Sequence, residues 1–159
     1  MLTKNNIWKA LVLIILCEGV GILGSIFTIP SITSWYIHLN KPFFNPPNWI
    51  FGPVWTALYL LMGVSLFLVL EKKLKKQKNF LIALFTIQLS LNFLWSFIFF
   101  GWHLPMAALV GIVFLWISIA LLIVDFWKFS KPASLILIPY LCWVSFASIL
   151  NLFIVLLNP

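Results

Sequence analysis

An all-α bundle of five membrane-spanning helices is the fold this sequence predicts, and three observations carry the prediction. The 159 residues are 64% hydrophobic and only 8% charged, more apolar surface than a water-soluble domain of this size could cover with polar groups. The apolar residues gather into five runs bounded by charge, proline or polar clusters, each close to the roughly 20 residues that cross a bilayer core. The runs lack the alternation of barrel strands, and hydrocarbon forbids unpaired backbone groups, so the spans are helices.

The first span covers about Ile7 to Ile29. It is longer than a signal-peptide core and no small-x-small cleavage site follows it, so it is expected to stay as the first helix. The segment Pro30 to Pro47 then forms the one long connection. Four prolines (Pro30, Pro42, Pro46, Pro47) make it unlike a helix, while Trp35, Tyr36, His38 and Lys41 suit a compact cap, so it is expected to act as a lid. The remaining spans are Asn48 to Leu70, Phe80 to Phe100, Pro105 to Trp127 and Ala133 to Leu157. No internal repeat is visible, and the odd span count opposes two inverted halves, so residues 1–159 read as one domain.

The net charge of +7 would suggest nucleic acid in a soluble protein. Here every cation is a lysine at or beyond the end of an apolar run, which orients helices and touches lipid headgroups instead. Five spans put nine lysines (Lys4, Lys9, Lys72, Lys73, Lys75, Lys76, Lys78, Lys128, Lys131) on one side and only Lys41 on the other. The positive-inside rule then places the amino terminus in the cytoplasm and the lid loop outside it. Cys17 and Cys142 sit in different spans without a metal or redox motif and read as small packing residues.

Residues on one helix face recur every three or four positions, and three spans carry such stripes. They are Trp55, Tyr59 and Gly63; Gln88, Asn92, Trp95 and Ser96; and Trp143, Ala147 and Asn151. At about 1.5 Å rise per residue, Trp55, Asn92 and Ala147 share a depth roughly 10 to 15 Å below the lid. Amides are costly in hydrocarbon unless they face the bundle and find partners. Helix-binding amides with packed aromatics would explain each residue singly. Three depth-matched stripes under one aromatic lid favour a ligand pocket.

Trp8, Trp49, Trp102 and Trp127 lie near span ends, where an interfacial belt accounts for them. Trp55, Trp95, Trp116 and Trp143 are deeper, where an indole N–H needs an acceptor and the ring could stack on a flat ligand. Trp116 could equally face lipid. Glu18, near the middle of the first span, is the most expensive residue in the chain and demands a proton or a partner. Asp125 and Lys128 read as a surface ion pair. Cys17, Gly21 and Ser25 form one small-residue ridge, Ala107 and Gly111 another, and both are expected to pack within the monomer, with a dimer seam as the alternative. His38 and His103 have no further ligands at metal spacing, and no nucleophile–base pair or phosphate loop is present, so no metal, cofactor or hydrolytic chemistry is expected.

The lid and the spans around it resemble a known family. Trp35-Tyr36, Leu39-x-Lys41-Pro42, Pro46-Pro47, Val54-Trp55, Leu58-Tyr59 and Met62-Gly63 are similar to the TspO/translocator protein family, also called tryptophan-rich sensory proteins or peripheral benzodiazepine receptors. Gln88-Leu89, Leu91-Asn92, Trp95, Phe99-Phe100-Gly101, Pro139-Tyr140-Leu141, Trp143, Phe146-Ala147 and Leu150-Asn151 extend the resemblance over nearly the whole chain. It implies a five-helix membrane protein, often dimeric, that binds porphyrins such as protoporphyrin IX. Bacterial members look like stress- or light-responsive tetrapyrrole handlers, some promoting light-dependent porphyrin breakdown. Carried over, the pocket comprises Tyr36, Pro42, Trp55, Asn92, Trp143 and Ala147, joined by Trp95 from the third-span stripe. Trp55 and Trp143 would stack on the ring and act in any photochemistry, with Asn92 orienting the ligand.

The animal cholesterol motif needs a Tyr and a basic residue after Leu150-Asn151, and this chain reads Leu152-Phe153-Ile154-Val155-Leu156 there, so cholesterol is not an expected partner. The third span also lacks the two prolines that animal members carry after the tryptophan, which points to a bacterial cell membrane. The main expectation is a porphyrin receptor or sensor. The alternative is a transporter of tetrapyrroles or other hydrophobic aromatics, proton-coupled through Glu18.

Overall fold

The computed structural model describes residues 4–159, and the side chains of Lys4, Asn5 and Lys75 lie outside the described residues. Among the described residues, six α-helices make up five membrane-length spans, so the protein is an integral, multi-pass membrane protein. The helices are α1 (Lys4–Ser34), α2 (Phe51–Leu70), α3 (Lys78–Ser96), α4 (Pro105–Trp127), α5 (Lys131–Ile136) and α6 (Ile138–Leu157). Helix α1 packs on α2 and α3, and α4 packs on α3, α5 and α6. The centre is closed by Met62, Leu115, Ile119, Leu122, Phe126 and Tyr140, all fully buried. The outer faces are apolar as well, with Ile15, Ile22, Val113 and Phe114 exposed, as lipid-facing helices require.

Three boundaries differ from the sequence reading. The first helix continues through Pro30 to Ser34 instead of ending at Ile29. A proline deprives the carbonyl four residues earlier of its donor, but ending the helix there would expose several carbonyls instead of one. The Thr33 and Ser34 hydroxyls then donate to the Pro30 carbonyl at 3.1 and 2.8 Å. The third span closes in a π-helical turn, Phe97–Gly101, with the Trp102 N–H reaching back to the Phe97 carbonyl at 3.0 Å. The wider turn carries Phe99 and Phe100 into the core beneath the lid. The fifth span, expected as one helix, is two, because Pro139 cannot donate across the junction at Leu137. Ser65 and Ser134 hydroxyls staple the short piece to α2 and α4 by donating to the Ala133 and Ile123 carbonyls at 2.6 and 2.7 Å.

The first loop is an ordered cap. A single 3-10 turn over Tyr36–His38 is followed by extended chain, a tight turn closed by Asn45 N–H to the Pro42 carbonyl at 3.0 Å, and a second 3-10 turn over Asn48–Ile50. The Tyr36 hydroxyl donates to Asn45 Oδ1 at 2.6 Å, and Lys41 donates to the Ile37 and Leu39 carbonyls while lying 5.0 Å above the Tyr36 ring. The cap is tied to the carboxyl end of the chain: Asn40 N–H donates to Asn158 Oδ1, and Asn158 Nδ2 to the Asn40 carbonyl, both at 2.9 Å. Phe44 meets Phe153 and Phe146 on α6 edge-on, and Trp35 stacks on His103 at 4.4 Å.

The two small-residue ridges part ways. Gly21 packs against the Tyr59 ring, which a Cβ there would strike. No atom lies within 4 Å of a Cβ built at Gly111, and Ala107 is exposed, so the second ridge is not packed within the monomer as expected. Cys17 is buried, whereas Cys142 faces outward instead of packing. Asp125 pairs with Lys128 at the surface.

Candidate ligand-binding site

A chain of buried polar groups crosses the bundle below the cap. Tyr59 on α2 donates to Asn92 Oδ1 on α3 at 2.5 Å, Asn92 Nδ2 donates to the Tyr140 hydroxyl on α6 at 2.9 Å, and Tyr140 donates to Gln88 Oε1 at 3.1 Å. Each group is fixed by the next, so the Asn92 amide can turn neither to lipid nor within its own plane. Nearer the cap, Trp95 Nε1 donates to Asn151 Oδ1 at 3.2 Å, and Asn151 Nδ2 to the Pro105 carbonyl at 2.9 Å. The inward stripes on α3 and α6 therefore meet through their amides. The sequence reading missed Tyr140 as the centre of this chain, although it lies on the face that carries Ala147 and Asn151 and extends that stripe by about one turn.

Two cavities flank the chain on the cap side. The larger, about 390 Å³, is a cleft between α1 and α2 with α3 behind it, lined among others by Glu18, Ser25, Trp49, Trp55, Asn92 and Trp95. The smaller, about 20 Å³, lies in the core between α2, α3 and α6, lined among others by Tyr36, Trp55, Trp95, Trp143, Ala147 and Asn151. Four aromatic side chains, Phe51, Trp55, Trp95 and Phe100, belong to both and form the partition. The cleft falls in the size range of small-molecule pockets; the inner cavity as it stands does not.

The residues expected at the site are thus divided. Tyr36, Trp143 and Ala147 line the inner cavity, Asn92 lines the cleft, and Trp55 and Trp95 stand between. Pro42 is buried within the cap and lines neither cavity, so its part is to shape the loop through its carbonyl bond to Asn45. The Tyr36 ring is only 2% exposed, and burial pushes its phenol up to about 12. The Trp143 indole N–H is buried and, among the described residues, has no acceptor. Its ring contacts Phe51 edge-on at 6.1 Å and Phe146 at 5.5 Å. Trp116, by contrast, is on the outer surface and donates to Ser145 at 2.7 Å, so it takes no part in either cavity.

Five membrane-crossing helices, capped at one end by an ordered aromatic loop over a polar and aromatic interior, define a compact multi-pass membrane protein with two cavities beneath its cap. The chain belongs to the TspO/MBR family, whose sequence model matches residues 13–157. It is 55% identical over 146 residues to the tryptophan-rich protein TspO of Chlorobaculum tepidum, covering 91% of this chain and 92% of that one. It is 48% identical over 153 residues to the tryptophan-rich protein TspO of Archaeoglobus fulgidus, covering 96% and 99%. With the human translocator protein it shares 36% identity over 131 residues, covering 81% and 78%. The family is one of membrane sensor and translocator proteins.

Proposed function

We propose that this protein is a membrane receptor for porphyrins, held beneath the first loop against Trp55, Trp95 and Trp143. The observation that supports the reading best is the aromatic partition: two of these indoles wall both cavities, and the third lines the inner one and has a buried N–H without an acceptor among the described residues. A flat conjugated ring gains by stacking on such walls. Phe51 touches Trp143 and lines both cavities, so rotation of its ring would open one toward the other. The Trp143 N–H would then donate to an acceptor on the ligand, while Asn92, held by Tyr59 and Tyr140, would orient its edge. The lysine-rich end faces the cytoplasm and the cap the opposite side of a cell membrane.

The test is a protoporphyrin IX titration of the purified protein, read by tryptophan quenching in the dark and then under light. Saturable binding is expected, weakened about tenfold in Trp55→Phe and in Trp143→Phe, a loss of ~1.4 kcal/mol for each. Trp143→Phe removes a buried donor that lacks a partner, so its effect on stability should be confined to the space the smaller ring leaves. Equal affinity in both variants and the unmodified protein would refute the reading. The light step asks whether bound porphyrin bleaches faster than free porphyrin.

A further inference from the structure

The cleft between α1 and α2 has chemistry of its own. The backbones of the two helices approach closely at Gly63, where a Cβ would stand 2.6 Å from the Ile14 Cα. Toward the cap, small residues on α1 (Gly21, Gly24, Ser25) leave the space that becomes the cleft. Its rim carries Ile22, Ile29 and Trp49, all exposed on the outer surface of spans that face lipid, so the cleft opens sideways into the membrane. Glu18 lies at its deep end, nearest the Gly63 crossing.

Three hydroxyls that line the cleft have their protons engaged within the bundle. Ser25 and Thr28 spend their hydroxyl protons on the Ile22 and Gly24 carbonyls of their own helix, and Tyr59 spends its proton on Asn92. Their oxygens remain as acceptors. Among the described residues nothing donates to the Glu18 carboxyl: the ion pairs they form are Lys9 with Glu71 and Lys128 with Asp125. A half-buried carboxyl in a membrane span is expensive without a partner, and the Trp49, Trp55 and Trp95 rings that line the same cleft offer apolar walls to a flat aromatic group.

We infer that this cleft is a binding site, entered from the lipid, for a flat aromatic amine whose basic nitrogen pairs with Glu18. The amine carries the proton, the carboxylate accepts it in a charge-assisted hydrogen bond, and the ring lies between the tryptophans. An ionised Glu18 disfavours carboxylate and phosphate ligands by leaving like charges face to face. The inference shares Trp55 and Trp95 with the porphyrin reading but rests on Glu18 and the lipid-facing rim, which that reading does not use.

The test uses the full chain in nanodiscs of zwitterionic phosphatidylcholine, with 1-pyrenemethylamine, its N-acetyl derivative and 1-pyrenecarboxylate as probes. Binding is read by energy transfer from tryptophan to pyrene, with empty discs subtracted. The amine should bind saturably and about tenfold or more tighter than either analogue. Glu18→Gln should bring the amine and the acetamide to within about twofold of each other. Glu71→Gln, at a surface carboxyl outside the cleft, should leave the preference intact. Ser25→Phe, which fills the cleft, should abolish binding of the amine. Equal binding of all three probes would mean that the cleft is an apolar slot for lipid chains, and would overturn the inference. So would an amine preference that survives Glu18→Gln. Should Glu18→Gln fail to fold, the decision passes to Ser25→Phe, where retained amine binding overturns the inference and its loss supports it. A protoporphyrin titration on the same discs separates the two readings, because either ligand can fail while the other binds.

Discussion

Replacing Tyr140 with phenylalanine tests the buried polar chain most directly. The hydroxyl is fully buried, accepts from Asn92 at 2.9 Å and donates to Gln88 at 3.1 Å. Its removal leaves one amide N–H and one amide carbonyl without partners, while the ring still fills its place, so no cavity term enters. A buried unsatisfied group costs about 1–3 kcal/mol in soluble proteins. Interhelical hydrogen bonds in membranes average about 0.6 and reach about 1.7 kcal/mol, because the unfolded chain in lipid also finds partners. Two bonds on the membrane scale give an expected loss of about 1–3 kcal/mol. Unfolding in mixed dodecylmaltoside and dodecylsulfate micelles, read by tryptophan fluorescence, measures it. The double variant Gln88→Leu with Tyr140→Phe removes both ends of one bond and should cost less than the sum of the singles, with a coupling of about 0.5–1.5 kcal/mol. A loss below about 0.3 kcal/mol for Tyr140→Phe, with singles that simply add, would refute the claim that this chain fixes Asn92.

Two further outcomes follow from particular contacts. Gly63→Ala places a Cβ 2.6 Å from the backbone of Ile14; the helices must separate, and an overpacking loss of about 1–3 kcal/mol is expected in the same unfolding assay, whereas Gly111→Ala, with no atom within 4 Å, should be neutral. The Tyr36 phenol is raised by burial from its ordinary 10 to about 12, so the folded cap holds this proton more tightly than the unfolded chain does. The stability it lends is complete below pH 10 and is lost as pH climbs through 12. Amide hydrogen exchange in residues 36–47, corrected for the intrinsic rise of exchange with pH, should therefore quicken between these limits, and Tyr36→Phe should remove the added slope.

Much of the architecture was legible without coordinates, and for local reasons. Span number follows from run length against bilayer thickness, and inward faces follow from the helical repeat, so Asn92, Trp95, Ala147 and Asn151 were placed in the interior from spacing alone. The departures occur where one local rule competes with another. Pro30 reads as a helix end in water, but in a span the next turn keeps its hydrogen bonds and the helix runs on to Ser34. Pro139 sits in an equally apolar run, yet there the chain breaks, and the Ser65 hydroxyl donates to the Ala133 carbonyl that the break leaves free.

The division between sequence and tertiary structure falls along range. The sequence by itself determined a five-span helical membrane protein of the TspO/MBR family with an ordered aromatic first loop, since hydropathy, periodicity and motif are properties of neighbours along the chain. Tertiary structure alone decided that Tyr140 joins Asn92 to Gln88, that Pro42 shapes the cap without reaching a cavity, and that Trp55 and Trp95 partition two cavities instead of lining one. It also decided that Glu18 looks into a cleft open to lipid. Cavities and cross-helix hydrogen bonds depend on how closely two helices approach, and that distance is set by pairs such as Gly63 and Ile14, which lie 49 positions apart in the sequence.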